Sequence, residues 1–119
     1  MSTCEWVLIC REIRSYETGL DLIGIGDTIV RAGRAGVSAF VAVGWLSGQP
    51  DTEYLVEMRL EDTAGKVLAN KTGRGRFGTR GTASISWDLS GSIFGIGIYL
   101  IRVVVDGVQC GTTRFLVKD

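Results

Sequence analysis

Apolar and polar residues alternate with a period of two in one segment after another of this chain. Tyr54, Val56, Met58 and Leu60 are interleaved with Glu53, Leu55, Glu57, Arg59 and Glu61, and Ala83, Ile85, Trp87 and Leu89 with Thr82, Ser84, Ser86 and Asp88. Side chains of an extended strand point alternately to opposite faces, so each segment reads as a strand with one buried and one wet face. No stretch carries a helical period, and the apolar runs are rich in the β-branched and aromatic residues that suit a pleated surface. The pattern predicts eight strands, near 4–10, 20–27, 37–46, 53–61, 66–70, 82–89, 97–105 and 108–118.

Turn residues support these joints. Asp106-Gly107 is a two-residue hairpin signal, because both positions require positive φ, and Asp62-Thr63-Ala64-Gly65 forms a second tight turn. Strict pairing across Asp106-Gly107 places Phe115 and Val117 on the face opposite Tyr99 and Ile101. One extra residue near Gly111 restores them to the same core, which predicts a β-bulge there. Short strands, frequent turns and no helix define an all-β chain. The expected architecture is a single-domain antiparallel β-sandwich of about eight strands over residues 1–119, immunoglobulin-like, with Trp6, Tyr54, Trp87, Tyr99 and Phe115 as its bulky core.

The strand at 37–46 breaks the one-sided rule. Val37, Val41, Val43 and Trp45 occupy one face and Phe40, Ala42 and Leu46 the other, so both faces are apolar. A loop of the same chain or a second subunit would have to cover one of them. Val37, Phe40, Val41, Val43, Trp45 and Leu46 are therefore candidate interface residues, and the pattern does not decide which parity faces outward.

Composition narrows the chemistry. Thirteen Lys and Arg balance 13 Asp and Glu, and the 119 residues include no His. Ser-His and Cys-His nucleophile pairs, His-bound metals and an imidazole base are thereby excluded. Glu61-Asp62, Asp21, Asp27 and Asp88 have no spacing that converges two carboxylates, and Ser90-Gly91-Ser92 lacks the flanking residues of a nucleophile elbow. The expectation is a chain that is not an enzyme and uses no cofactor or metal. Cys4, Cys10 and Cys110 lack any C-x-x-C spacing and read as small apolar residues of a reducing cytoplasm, Cys4 and Cys10 sharing one strand parity. The opening residues lack a basic n-region, and no apolar run reaches the length of a membrane helix, so a cytoplasmic location without membrane contact is expected.

The segment 70–81 is unusual: Lys71, Arg74, Arg76 and Arg80 stand among glycines around Phe77. Read as a loop, it is either an ordinary solvated connection or an anion grip, in which glycines let backbone approach a phosphate, arginines pair with it and Phe77 stacks on a base. Gly73-Arg74-Gly75-Arg76-Phe77-Gly78 spells G-x-G-x-x-G, but the next segment alternates as a strand rather than opening a helix, so it is no dinucleotide fingerprint. A second Arg/Gly connection, Arg31-Ala32-Gly33-Arg34-Ala35-Gly36, falls at the opposite end if every strand reverses. Asp51, Glu53 and Asp106 are acidic neighbours that the segment 70–81 could face.

Leu8-Ile9-Cys10, the run Glu17 to Ile29, Glu57 to Asp62 leading into Gly65 to Ala69, and Gly97-Ile98-Tyr99 leading to Asp106-Gly107 follow one another in a characteristic order. In this order the chain resembles a family of uncharacterised bacterial β-sandwich proteins of immunoglobulin-like type. The resemblance implies the sandwich fold and no catalytic residue. The expected function is a non-catalytic interaction module acting through self-association or a partner protein. The alternative is nucleic-acid or polyanion binding through Lys71, Arg74, Arg76, Phe77 and Arg80.

Overall fold

The computed structural model describes residues 2–16, 19–30, 40–89 and 95–119. Its strands are β1 (Thr3–Cys10), β2 (Glu12–Tyr16), β3 (Gly19–Ile23), β4 (Thr28–Val30), β5 (Val41–Ser47), β6 (Glu53–Asp62), β7 (Val67–Arg76), β8 (Thr82–Asp88), β9 (Gly97–Val105) and β10 (Val108–Lys118). They form a three-stranded sheet β1-β5-β8, a five-stranded sheet β4-β10-β9-β6-β7 and a two-stranded hairpin β2-β3. Every pairing is antiparallel except that of β4 with β10. The chain is all-β, with no helix among the described residues.

One apolar core draws on both larger sheets. Val7, Ile9, Ala42, Leu46 and Ile85 come from the three-stranded sheet, and Tyr54, Met58, Leu60, Tyr99, Ile101, Val103, Phe115 and Val117 from the five-stranded sheet. Phe115 sits between Phe40 and Tyr99, each ring 5.7 Å away, and the Tyr99 hydroxyl donates to the Gly95 carbonyl at 2.7 Å. Burying the polar tip of a tyrosine with its hydrogen bond made removes the main penalty of placing it in a core.

The expected bulge is present. The β9–β10 register shifts between Gln109 and Gly111, which brings Phe115 opposite Tyr99 on the core side. Asp106 and Gly107 both have positive φ, 50° and 81°.

Four expectations are corrected. The strand expected at 20–27 is shorter: β3 ends at Ile23, Gly24 turns with φ 72°, and a further strand not expected from the sequence, β4, follows and runs parallel to β10. The sequence reading also missed β2, whose residues are mostly polar and which exists through its ladder with β3. The strand expected at 66–70 continues to Arg76, because Gly73 and Gly75 pair with Val56 and Tyr54 rather than ending the ladder. A Cβ on Gly75 would lie 2.3 Å from the Tyr54 hydroxyl, so that ring occupies the space a side chain would need. Trp6 is not a core residue: a register shift between Cys4 and Trp6 inverts the parity of β1, so Cys4 packs against the core with Val7 and Ile9 while Trp6 faces the other way. The same shift separates Cys4 from Cys10. Arg31 to Gly36, Val37 and Ser90 to Ser92 lie outside the described residues.

Candidate functional site

Strand β7, at the edge of the five-stranded sheet, carries most of the expected anion grip. Its alternation divides the cations between two faces. Lys71 pairs with Met58 and points inward over the gap toward β8, where its ammonium donates to the Ser86 carbonyl at 3.2 Å. Arg74 and Arg76 point outward, opposite Leu55 and Glu53, about 7 Å apart along the strand. Arg76 donates to the Asp51 carbonyl, whereas Arg74 makes no hydrogen bond or ion pair among the described residues. Arg74 lines a shallow hollow with Glu53, Tyr54, Leu55 and Asp106, two of the acidic neighbours expected from the sequence. Arg80 is exposed in the turn between β7 and β8, beyond Phe77.

Phe77 cannot stack on a base. It is 2% exposed, its ring lies 4.8 Å from that of Tyr54, and a Cβ on Gly48 would strike it at 2.5 Å. It is core, and the local reason is that the backbone turns inward at the end of β7, where Phe77 N–H donates to the Thr52 carbonyl at 2.9 Å. The structure therefore brings Arg74 and Arg76 together, sets Lys71 on the other face and removes Phe77.

The candidate interface residues are also divided. Phe40 and Leu46 belong to the core and are not available to a partner. Val41, Val43 and Trp45 share the opposite, outward face of β5, beside Cys10, Leu8 and Trp6 of β1. Trp6 and Trp45 stack with ring centroids 6.1 Å apart and planes 16° from parallel. Val43 is buried among these neighbours, while Trp6, Leu8, Val41 and Trp45 remain half-buried. On the β8 side the same face ends in Ser84, Ser86 and Asp88, paired with Trp45, Val43 and Val41. This face therefore has an apolar centre with two stacked tryptophans and a polar rim on the β8 side. Trp6 and Leu8 were missed because strict alternation through Glu5 places Trp6 inward.

The outer face of the five-stranded sheet is built differently. Arg59 and Arg102 stand directly opposite each other, and each takes its own carboxylate: Glu57 at 2.7 Å and Glu61 at 2.8 Å. The Arg59 guanidinium, then Asn70, holds the Glu57 carboxyl below its ordinary range by hydrogen bonding to the charged form. Among the described residues no group of three or more Cys, Asp or Glu could hold a metal ion, and no helix is long and apolar enough to cross a membrane.

No protein-family model matches the chain, and no curated protein is significantly similar to it. In structure it is similar to the alkylpurine DNA glycosylase AlkC of Pseudomonas fluorescens bound to DNA containing an abasic site analog. The TM-score is 0.61 at 11% identity, over 99% of this chain and 30% of that one. At that identity the likeness is one of fold, and the chain spans less than a third of the neighbour's length.

Proposed function

We propose that this chain is a non-catalytic, immunoglobulin-like β-sandwich that works by association, pairing with a second copy of itself through the outward face of β1 and β5. The observation that carries this reading is the stacked pair Trp6–Trp45 surrounded by Leu8, Val41 and Val43. The outward positions of β5 include no charge, so two copies of this face meet without repulsion, and an isologous pair is the commonest way for such a face to be covered. The polar rim on β8 keeps the patch finite. The resemblance to bacterial sandwich proteins supports the fold assignment. A sequence without His and without a spacing that converges two carboxylates supports a role without catalysis.

Light scattering across a size-exclusion peak tests the reading. A dimer is expected for the unmodified chain and a monomer for Trp45→Lys. A chain that is monomeric at high micromolar concentration, or a variant that stays dimeric, would overturn it.

A second reading rests on Arg74 and Arg76, neighbours on one exposed strand face, together with a structural neighbour solved with DNA. Here the chain binds nucleic acid, with Lys71 and Arg80 adding charge at the margins. Two phosphate contacts would give a shallow salt dependence, log K falling by about 0.9 per contact per decade of salt. Titration of a labelled duplex at several salt concentrations checks it: binding lost in Arg74→Ala/Arg76→Ala sustains this reading, and no binding at low salt removes it.

A further inference from the structure

Two of the three cysteines meet across the molecule, although 105 residues separate them in the chain. Cys4 lies on β1 at the register shift that inverts that strand, and Cys110 is the extra residue of the bulge in β10. Both pack against the same core. Gly111 leaves room for the Cys4 side chain: a Cβ at that position would lie 2.8 Å from the Cys4 sulfur and 3.0 Å from its Cβ, so any larger residue would collide with it. The two thiols lie near enough to shift each other's ionisation, and the Cys4 thiol donates to the Trp6 carbonyl at 3.3 Å. Each is half-buried, within reach of a small oxidant, whereas Cys10 is 1% exposed.

We propose that Cys4 and Cys110 form a reversible disulfide that ties β1 of the three-stranded sheet to β10 of the five-stranded sheet, with a low-molecular-weight disulfide such as oxidised glutathione as the oxidant. One protein thiolate attacks a sulfur of the small disulfide, breaking its S–S bond and releasing one thiol. The second protein thiolate then attacks the mixed disulfide at the protein sulfur and expels the other. Two protein thiols are oxidised, one small disulfide is reduced to two thiols, and the protons pass to the leaving thiolates. Cys110 makes the first attack: burial raises both thiols, but Cys4, which donates to the Trp6 carbonyl and is pushed up to about 11 by burial and then by Cys110, is the harder one to ionise.

The test uses the full chain incubated with oxidised glutathione and then alkylated. The intact mass should fall by two hydrogen atoms with one free thiol left to alkylate. Cleavage after Glu5, Arg11, Arg102 and Arg114 should release a fragment joining Met1–Glu5 to Val103–Arg114. The oxidised form should melt on the order of 10 °C above the reduced form, because a long loop is closed in the unfolded chain. Cys10→Ser should form the same bridge with no thiol left to alkylate, and Cys4→Ser should instead retain a glutathione adduct on Cys110. Two stable glutathione adducts, a bridge through Cys10, three free thiols or a disulfide between chains would each overturn the proposal. The wild-type mass together with its joined fragment decides, so a variant that fails to fold does not spare the proposal.

Discussion

The two larger sheets share one core but present opposite kinds of surface to the outside. On the five-stranded sheet, Arg59 with Glu57 and Arg102 with Glu61 neutralise each other in place, and Leu55, Ile98 and Leu116 are exposed between charges. On the three-stranded sheet, β1 and β5 offer Trp6, Leu8, Val41 and Trp45 over the buried Val43, with no charge among them. A face laced with paired charges has its solvation built in and gains little from a partner. An apolar face of stacked tryptophans gains most of its remaining burial only from a partner. The difference is what the proposed pairing rests on: it would use the smaller sheet and leave the larger one in water.

The largest expected effect comes from unpairing the charged face. Glu61 is 6% exposed and receives both Nε and NH2 of Arg102, at 2.8 and 3.3 Å. Arg102→Ala leaves a buried carboxylate without its cation and should cost about 3 kcal/mol in urea unfolding. Adding Glu61→Gln should recover much of that loss. A full-sized loss in the double variant would show that packing of the Arg102 stem, and not the ion pair, matters.

Most of the strand pattern was legible in the sequence because the five-stranded sheet follows strict alternation from Tyr54 to Leu60 and from Tyr99 to Val103. The bulge at Cys110 was legible too, since Phe115 and Val117 had to reach the core that Tyr99 occupies. The bulge at Glu5 was not, because Cys4, Trp6, Leu8 and Cys10 alternate plausibly without it. That one residue decides whether Trp6 is core or surface and whether Cys4 meets Cys110. The segment 70–81 misled for a related reason. Glycine signals a loop by its freedom, yet here Gly75 serves as a gap into which Tyr54 fits.

A smaller effect should appear on raising the pH, and it reports on the core beneath both faces. Burial first, then Cys110, raises the Cys4 thiol from 9.0 to about 11. The folded state therefore holds this proton more tightly than the unfolded chain. The stability it contributes is complete below pH 9 and is lost as the pH rises toward 11. Cys10, Cys110 and Tyr54 are raised by burial as well and act in the same direction. Urea midpoints measured from pH 8 to 11 should fall, and Cys4→Ser should flatten part of that slope.

Trp45→Ser should change monomer stability by only about 1 kcal/mol, because the indole is half-buried and leaves the core intact. Its effect should appear in association, as a dissociation constant raised at least about tenfold in dilution experiments. Equal effects of Trp45→Ser and Leu55→Ser on association would erase the contrast between the faces, since Leu55 is exposed on the charged side.

The smallest effect belongs to Glu57, and its sign is fixed. Arg59 at 2.7 Å and Asn70 at 2.9 Å favour its charged form, so its carboxyl sits below the ordinary range in the folded state. Its contribution is present above the unfolded carboxylate range and disappears as the pH falls through the lowered value. Glu57→Gln should accordingly narrow the stability difference between neutral and acid pH, by far less than Arg102→Ala costs, because the pair lies in water. A loss comparable to that of Arg102→Ala would mean that the outer face of the five-stranded sheet is less wet than its charge pattern requires.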